Sequence, residues 1–295
     1  MVQRPDWLRV RVRNGPNFRD LKQIMQDLTL HTICEEAHCP NITECWEYRT
    51  ATFLILGDTC TRRCAYCAVQ TGLPRGLDLE EPERLAQAVQ RMGLKHVVIT
   101  SVTRDDLPDG GAMIFAACIH KLHQRIPGCN VEVLIPDFKG SEAALATVMR
   151  ARPDVLNHNI ETVPRLFPKV RAGGRYQRSI ELLARAKELA PDIPTKSGMM
   201  VGLGETYEEI LAVMADLRDA EVDLLTIGQY LRPKGQYEYV PMARYYHPRE
   251  FQQLKEEGLR LGFKHVESGP LVRSSYHAHQ QVEAMREETS AQQAT

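Results

Sequence analysis

The 295-residue chain is 43% hydrophobic and nearly neutral, with 37 basic residues against 38 acidic ones and a net charge of −1. That length suits one large α/β domain with extensions or two ordinary domains, and the charge balance excludes the basic excess of a nucleic-acid binder. No apolar run reaches the eighteen residues of a membrane span, and the start MVQRPDWLRVRVRNG lacks the apolar stretch of a secretory signal. The expected setting is therefore a reducing cytoplasm, where clustered cysteines serve metals more often than disulfides.

In chain order, residues 1–50 form an N-terminal extension containing CEEAHCPNITEC, with Cys34, Cys39 and Cys45. From residue 51, short apolar runs alternate with amphipathic stretches. The runs TFLILG (52–57), HVVITSV (96–102), NVEVLI (130–135), DVLNHNI (154–160), PTKSGMMVGL (194–203) and VDLLTIGQ (222–229) predict strands. Residues 82–92, 111–125, 141–151, 177–190 and 206–219 carry apolar residues three and four apart and predict helices, the last capped by Thr206. Continuous β-branched runs between such helices mean parallel strands covered by helices. Six units suit a partial, open (β/α)6 barrel over 51–229, with a doubly wound sheet as the rival. Residues 230–295 form a C-terminal extension, and both extensions are expected to cover the barrel mouth.

The loop after the first strand is CTRRCAYC, with Cys60, Cys64 and Cys67 in the spacing C-x3-C-x2-C. In a parallel barrel, sites are built where strands end. Three thiolates on one loop would hold three irons of a 4Fe–4S cluster and leave the fourth open, whereas an electron-transfer cluster has four protein ligands. Structural zinc wants four closed ligands, and a disulfide with a spare thiol is the remaining alternative. Tyr66, beside the last cysteine, matches the motif C-x3-C-x-φ-C with φ aromatic. In this the chain resembles the radical S-adenosylmethionine enzymes, whose motif follows the first strand of a partial (β/α)6 barrel. The resemblance implies that the open iron chelates the amino and carboxylate groups of S-adenosylmethionine. Reductive cleavage would then give methionine and a 5′-deoxyadenosyl radical.

Loops at the other strand ends should hold the rest of that cofactor. Thr103 in TSVTRDD is assigned to its methionine end. Strand alternation puts Asn157, Asn159 and Glu161 on one face, and the segment looks like the ribose-binding strand of biotin synthase, which assigns Asn159 and Glu161 to the ribose. Arg178 in GGRYQRS is placed to meet the methionine carboxylate, or simply to pair within its own surroundings. Gly198, Gly202 and Gly204 suit a close backbone approach to adenine, or a turn.

The spacing of Cys34, Cys39 and Cys45, C-x4-C-x5-C, matches neither a zinc finger nor a ferredoxin, and alone leaves a second cluster and zinc both open. With its surroundings it resembles the lipoyl synthase family. The similarity runs from HTICEEAHCPNITECW through TATFLILGDTCTRRCAYC, TSVTRDDLPDGGA, LNHNIETVPRLFPKVRAGGRYQRS, KSGMMVGLGET and QYLRP to GPLVRSSYHA. It implies an auxiliary 4Fe–4S cluster on Cys34, Cys39 and Cys45, with a serine of the RSSYHA motif as fourth ligand, taken as Ser275 rather than Ser274. The implied reaction is sulfur insertion at C6 and C8 of an octanoyl chain on a lysine of a lipoyl carrier domain or H protein. The auxiliary cluster is the implied sulfur source, and a low-potential donor such as ferredoxin or flavodoxin the implied electron source. A monomer is expected, with no nucleic-acid or membrane partner. A two-cluster electron carrier, or a radical enzyme with another substrate, are the competing classes. Cys118 and Cys129 read as core residues, His38 as no ligand, and His158 as hydrogen-bonded structure. Arg62 and Arg63 read as cluster-balancing, partner-facing or simply solvated.

Overall fold

The computed structural model describes residues 4–10, 15–234, 237–282 and 284. Its main sheet has eight strands in the order His31–Thr32, Thr52–Ile55, His96–Ser101, Asn130–Leu134, Val155–Asn157, Thr195–Val201, Leu224–Gln229 and His265–Gly269. The first pair is antiparallel and every later pair is parallel. The sheet curls into a partial barrel, and its two end strands do not pair with each other.

The six predicted strands are all present, and the helices Glu81–Met92, Ala112–Arg125, Glu142–Arg150, Tyr176–Leu189 and Tyr207–Asp219 follow them in alternation. Each buries an apolar stripe against the sheet; in Glu81–Met92 it is Leu85, Ala86, Val89 and Met92. Thr206 and Glu209 cap each other's backbone N–H groups in a reciprocal box, which fixes where the last of these helices begins. The sheet runs past the six predicted units. His265–Gly269 pairs in register with Leu224–Gln229, and the helix Pro248–Arg260 connects the two. A second additional helix, Pro16–Asp27, packs near the N-terminal triad through Phe18 on Trp46.

The barrel interior carries a buried charge cluster. Lys196 Nζ donates to both Glu132 oxygens, at 3.0 and 3.3 Å, and Asn157 Nδ2 donates to Glu132 Oε1 at 3.0 Å. His96 Nε2 stands 3.6 Å from the same carboxylate. Burial opposes the charge on Glu132, but Lys196, His96 and Asn157 more than offset it and bring the carboxyl down to about 2. Asn157 is therefore held inside the barrel by Glu132. The strand stops at Asn157, so the alternation expected to carry on to Asn159 and Glu161 does not.

Removing one member of a buried ion pair leaves the other uncompensated. Lys196→Met should cost about 3–5 kcal/mol in chemical denaturation, and the double variant Lys196→Met/Glu132→Leu should recover most of that loss. A single variant as stable as the native protein would show that the pair contributes nothing to folding.

Candidate active site at the open edge of the barrel

The chain leaves the first barrel strand through Leu56, which lies in the left-handed region at φ 69°. Two buried groups hold that turn. Glu81 accepts from Leu56 N–H at 2.8 Å, and Arg104 donates to Leu56 carbonyl at 3.2 Å. The cysteine loop that follows is tied to its neighbours on three sides. Thr61 donates through both its backbone and its hydroxyl to Thr103 carbonyl, each at 2.9 Å. Ala65 N–H reaches Val170 carbonyl at 2.9 Å, and Val240 N–H reaches Ala65 carbonyl at 2.9 Å. Cys60 Sγ accepts from the N–H groups of Arg62 (3.4 Å) and Thr103 (3.3 Å). Thr103 thus meets the loop through its backbone.

Arg62 is buried, not solvated. Its guanidinium pairs with Asp105 at 2.6 Å and with Asp137 at 2.7 Å. Asp137 also accepts from Arg178 at 3.1 Å, so Arg178 is joined to the cysteine loop through one shared carboxylate. Arg63 is exposed and lies over the Tyr237 ring at 4.6 Å. Burial raises the Cys67 thiol to about 12, with Cys64 and Cys60 adding to the effect. Burial likewise raises Cys64 to about 11, opposed by Arg171.

Asn159, Glu161 and Tyr66 come together, although not through the strand alternation expected to align Asn157, Asn159 and Glu161. Glu161 sits at φ 71°, a region that non-glycine residues rarely occupy. Its backbone bridges Met199, with Glu161 N–H on Gly198 carbonyl at 3.0 Å and Met200 N–H on Glu161 carbonyl at 2.8 Å. Burial raises the Glu161 carboxyl, opposed first by Arg171 and then by hydrogen bonds from Tyr66 and Asn159. Arg171 Nη1 donates to Asn159 carbonyl at 2.5 Å. Asn159 Oδ1 accepts from Ser274 Oγ at 2.9 Å. Glycine at 198 leaves room for this meeting: a Cβ there would lie 2.7 Å from Asn159 Oδ1, 3.0 Å from Ser274 Oγ and 2.6 Å from Thr226 Oγ1.

The N-terminal triad lies on the short helices Ile33–Glu36 and Ile42–Glu47 and the turn between them. Thr32 caps the first helix by accepting from Glu35 N–H at 3.3 Å. Burial raises Cys34 to about 12, with Cys39 adding to it. Burial also raises Cys45 to about 12, with Cys34 and Cys39 adding. The three thiols therefore lie close enough that ionising one opposes ionising the others. Burial raises Cys39 too, opposed by Arg273. The C-terminal segment lies against this triad. Asn41 Nδ2 donates to Leu271 carbonyl at 2.7 Å, and Tyr276 hydroxyl donates to Glu44 Oε1 at 3.2 Å. His38 is exposed, and Cys118 and Cys129 are buried among apolar side chains.

These donor sets suit iron–sulfur clusters. Six thiols are drawn into two pockets, each with a cation to balance thiolate charge: Arg171 by Cys64 and Arg273 by Cys39. The buried Trp46 indole N–H faces Cys34, and neither it nor Thr43 Oγ1 on the same helix has a hydrogen-bond partner among the described residues. The indole N–H is a group that an anionic sulfur at Cys34 would satisfy. Among the described residues no three Cys, His, Asp or Glu side chains converge on a single metal ion. A cubane presents its irons at separate corners, so its ligands need no common point.

The Radical SAM superfamily profile matches residues 54–217, and that of the N-terminal domain of lipoyl synthase of the Radical SAM family matches residues 1–39. Lipoyl synthase from Rubrobacter xylanophilus is 62% identical over 96% of this chain and 88% of its own length. The Shouchella clausii lipoyl synthase is 58% identical over 95% and 91%. This chain belongs to the lipoyl synthase family. Solved structures share the fold at lower identity. HydG, a maturase of the FeFe-hydrogenase, matches with TM-score 0.56 at 14% identity over 87% of this chain and 56% of its own. Streptococcus suis SuiB bound to S-adenosylmethionine matches with TM-score 0.54 at 13% identity over 73% and 49%.

Lipoyl synthases are sulfurtransferases that use S-adenosylmethionine and two 4Fe–4S clusters to insert sulfur at C6 and C8 of a protein-bound octanoyl-lysine, and that is the activity of this chain. Asp137, Arg171 and Trp46 stand against the two cysteine segments, though no spacing in the sequence singled them out. Arg171 stands among the quoted motif residues, but only folding brings it to Cys64 and Glu161.

His158 is buried beneath this site, with Nδ1 on Ile135 carbonyl at 2.8 Å and Nε2 on Ser179 Oγ at 3.0 Å. Burial, reinforced by Arg171, lowers it to about 3. A folded value below the unfolded one of about 6.5 means that its stabilising effect is complete above about pH 6.5 and is lost as pH falls towards 3. His158→Gln should flatten the loss of denaturation midpoint across that window. A variant slope as steep as the native one would place the acid sensitivity on other groups.

Proposed function

We propose that Cys60, Cys64 and Cys67 hold the cluster that engages S-adenosylmethionine, and that Cys34, Cys39 and Cys45 hold the auxiliary cluster with Ser275 as its fourth ligand. Bound there, the two clusters and the cofactor supply a primary carbon radical and the sulfur that replaces hydrogen at C6 and C8. The observation that carries the assignment is that residues 271–276 touch both places, through Asn41 and Glu44 on one side and Asn159 on the other. Within that segment Ser274 is engaged with Asn159, while Ser275 lies between it and Tyr276, which bonds beside Cys45. This supports Ser275 as the ligand.

The remaining residues bind and orient. Tyr66 flanks the cofactor beside Cys67, Thr103 packs at its methionine end, and Asn159 and Glu161 meet the ribose. Arg178 offers the N–H groups not taken by Asp137 to the cofactor carboxylate. Arg62, fixed by Asp105 and Asp137, keeps the cysteine loop in place, which near-attack geometry requires. The short helices that carry Cys34 and Cys45 and the segment 271–276 meet at the barrel opening and keep water from the radical. The acceptor is an octanoylated lipoyl carrier domain or H protein. The electron donor is a ferredoxin or flavodoxin, and the enzyme works as a monomer in the cytoplasm.

The reconstituted protein should carry about eight irons. With Cys60, Cys64 and Cys67 changed to Ala it should keep about four and lose cofactor cleavage. With Cys34, Cys39 and Cys45 changed to Ala it should cleave S-adenosylmethionine but make no lipoyl product. Mass spectrometry of an octanoylated peptide and quantitation of 5′-deoxyadenosine check both. Cleavage that survives in the first variant would reverse the assignment of the two triads. Ser275→Ala should separate cleavage from sulfur insertion in the same way as the second variant. Sulfur insertion at the native rate in that protein would remove Ser275 from the ligand set.

A further inference from the structure

We propose that Ser274 is a positioning residue for cofactor binding: it holds the Asn159 amide in place and so makes the cradle depend on closure of the C-terminal segment. The inference rests on the reading of Asn159 as a cofactor contact. Its geometry is independent of that reading. Ser274 and Asn159 lie 115 residues apart, and their hydrogen bond, at 2.9 Å, joins the end of the fourth barrel strand to the C-terminal segment. The segment is itself fixed at both sides of Ser274, by Leu271 carbonyl on Asn41 and by Tyr276 on Glu44.

An amide has one accepting and one donating end. With Oδ1 occupied by Ser274, the Nδ2 end of Asn159 is the one left to face Glu161, where it stabilises the carboxylate. A flipped amide would turn Oδ1 towards that carboxylate, acceptor against acceptor. The carboxylate, which can only accept, therefore fixes the donor-inward orientation, and the Ser274 hydroxyl, donating to Oδ1, holds the amide there. Glycine at 198 is part of the same arrangement, because a side chain there would occupy the space where the two groups meet. Sulfur insertion needs both clusters, and this contact lets the cofactor site form fully only when the segment over the auxiliary triad is in place.

The test uses the protein loaded with both clusters and measures the S-adenosylmethionine dissociation constant by equilibrium dialysis, with iron content as control. Ser274→Ala should keep about eight irons and weaken binding about threefold to tenfold, the size of one lost hydrogen bond. It should raise KM for the cofactor more than it lowers kcat. Ser274→Ala/Asn159→Ala should bind no more weakly than Asn159→Ala alone, since the first acts through the second. Native affinity in Ser274→Ala together with weakened Asn159→Ala would overturn the inference. Native affinity in Asn159→Ala would instead remove the reading beneath it. Loss of about four irons in Ser274→Ala would make Ser274 the cluster ligand and overturn it as well.

Discussion

The barrel does not close, and its two free edges are what the rest of the molecule is arranged around. An uncovered sheet edge presents unpaired backbone groups and has to be paired or shielded. Here the edge strand His31–Thr32 runs directly into the helix that carries Cys34, and the opposite edge strand His265–Gly269 runs directly into the segment that carries Arg273 to Tyr276. The two continuations meet through Asn41 and Leu271. The same contact that brings the free edges' continuations together therefore brings Arg273 beside Cys39. The auxiliary site is a product of how the fold handles its opening.

Charge follows the same plan. Burial raises the thiols of Cys34, Cys39, Cys45, Cys64 and Cys67, so loading them with iron must release protons, and cations nearby lower that barrier. Arg171 stands by Cys64 and Arg273 by Cys39, one for each triad. Arg62 is spent on Asp105 and Asp137 and acts as a brace. Glu132 and Lys196 lie further inside and satisfy each other, well apart in role from the groups that face the opening.

Much of this was legible in the sequence. The strands and helices of the barrel repeat with a period and a chemistry that local rules read directly, as the box formed by Thr206 and Glu209 shows. The triad of Cys60, Cys64 and Cys67 was legible as spacing, whereas that of Cys34, Cys39 and Cys45, and the assignment of Asn159 and Glu161, rested on resemblance. What the sequence hid depends on where strands stop and what crosses between elements. Asn157 looked equivalent to Asn159, but the strand ends there and Glu132 takes it. Arg62 was open among balancing cluster charge, meeting a partner and simple solvation, and only folding places carboxylates from two different loops around it. The seventh parallel strand was missed because VESG is short and partly polar. The helix before it, PREFQQLKEEGLR, does show its buried face in Phe251, Leu254 and Gly258.

The claim on which the account turns is that the C-terminal segment serves the auxiliary cluster and the cofactor cradle at once. Iron-anomalous diffraction from crystals of the loaded enzyme with S-adenosylmethionine tests it most directly. The account predicts two iron clusters, one within the loop of Cys60, Cys64 and Cys67, the other between Cys34, Cys39, Cys45 and Ser275 Oγ, with Ser274 still on Asn159. A second cluster whose fourth iron faces water or Ser274, while Ser275 points elsewhere, would contradict it.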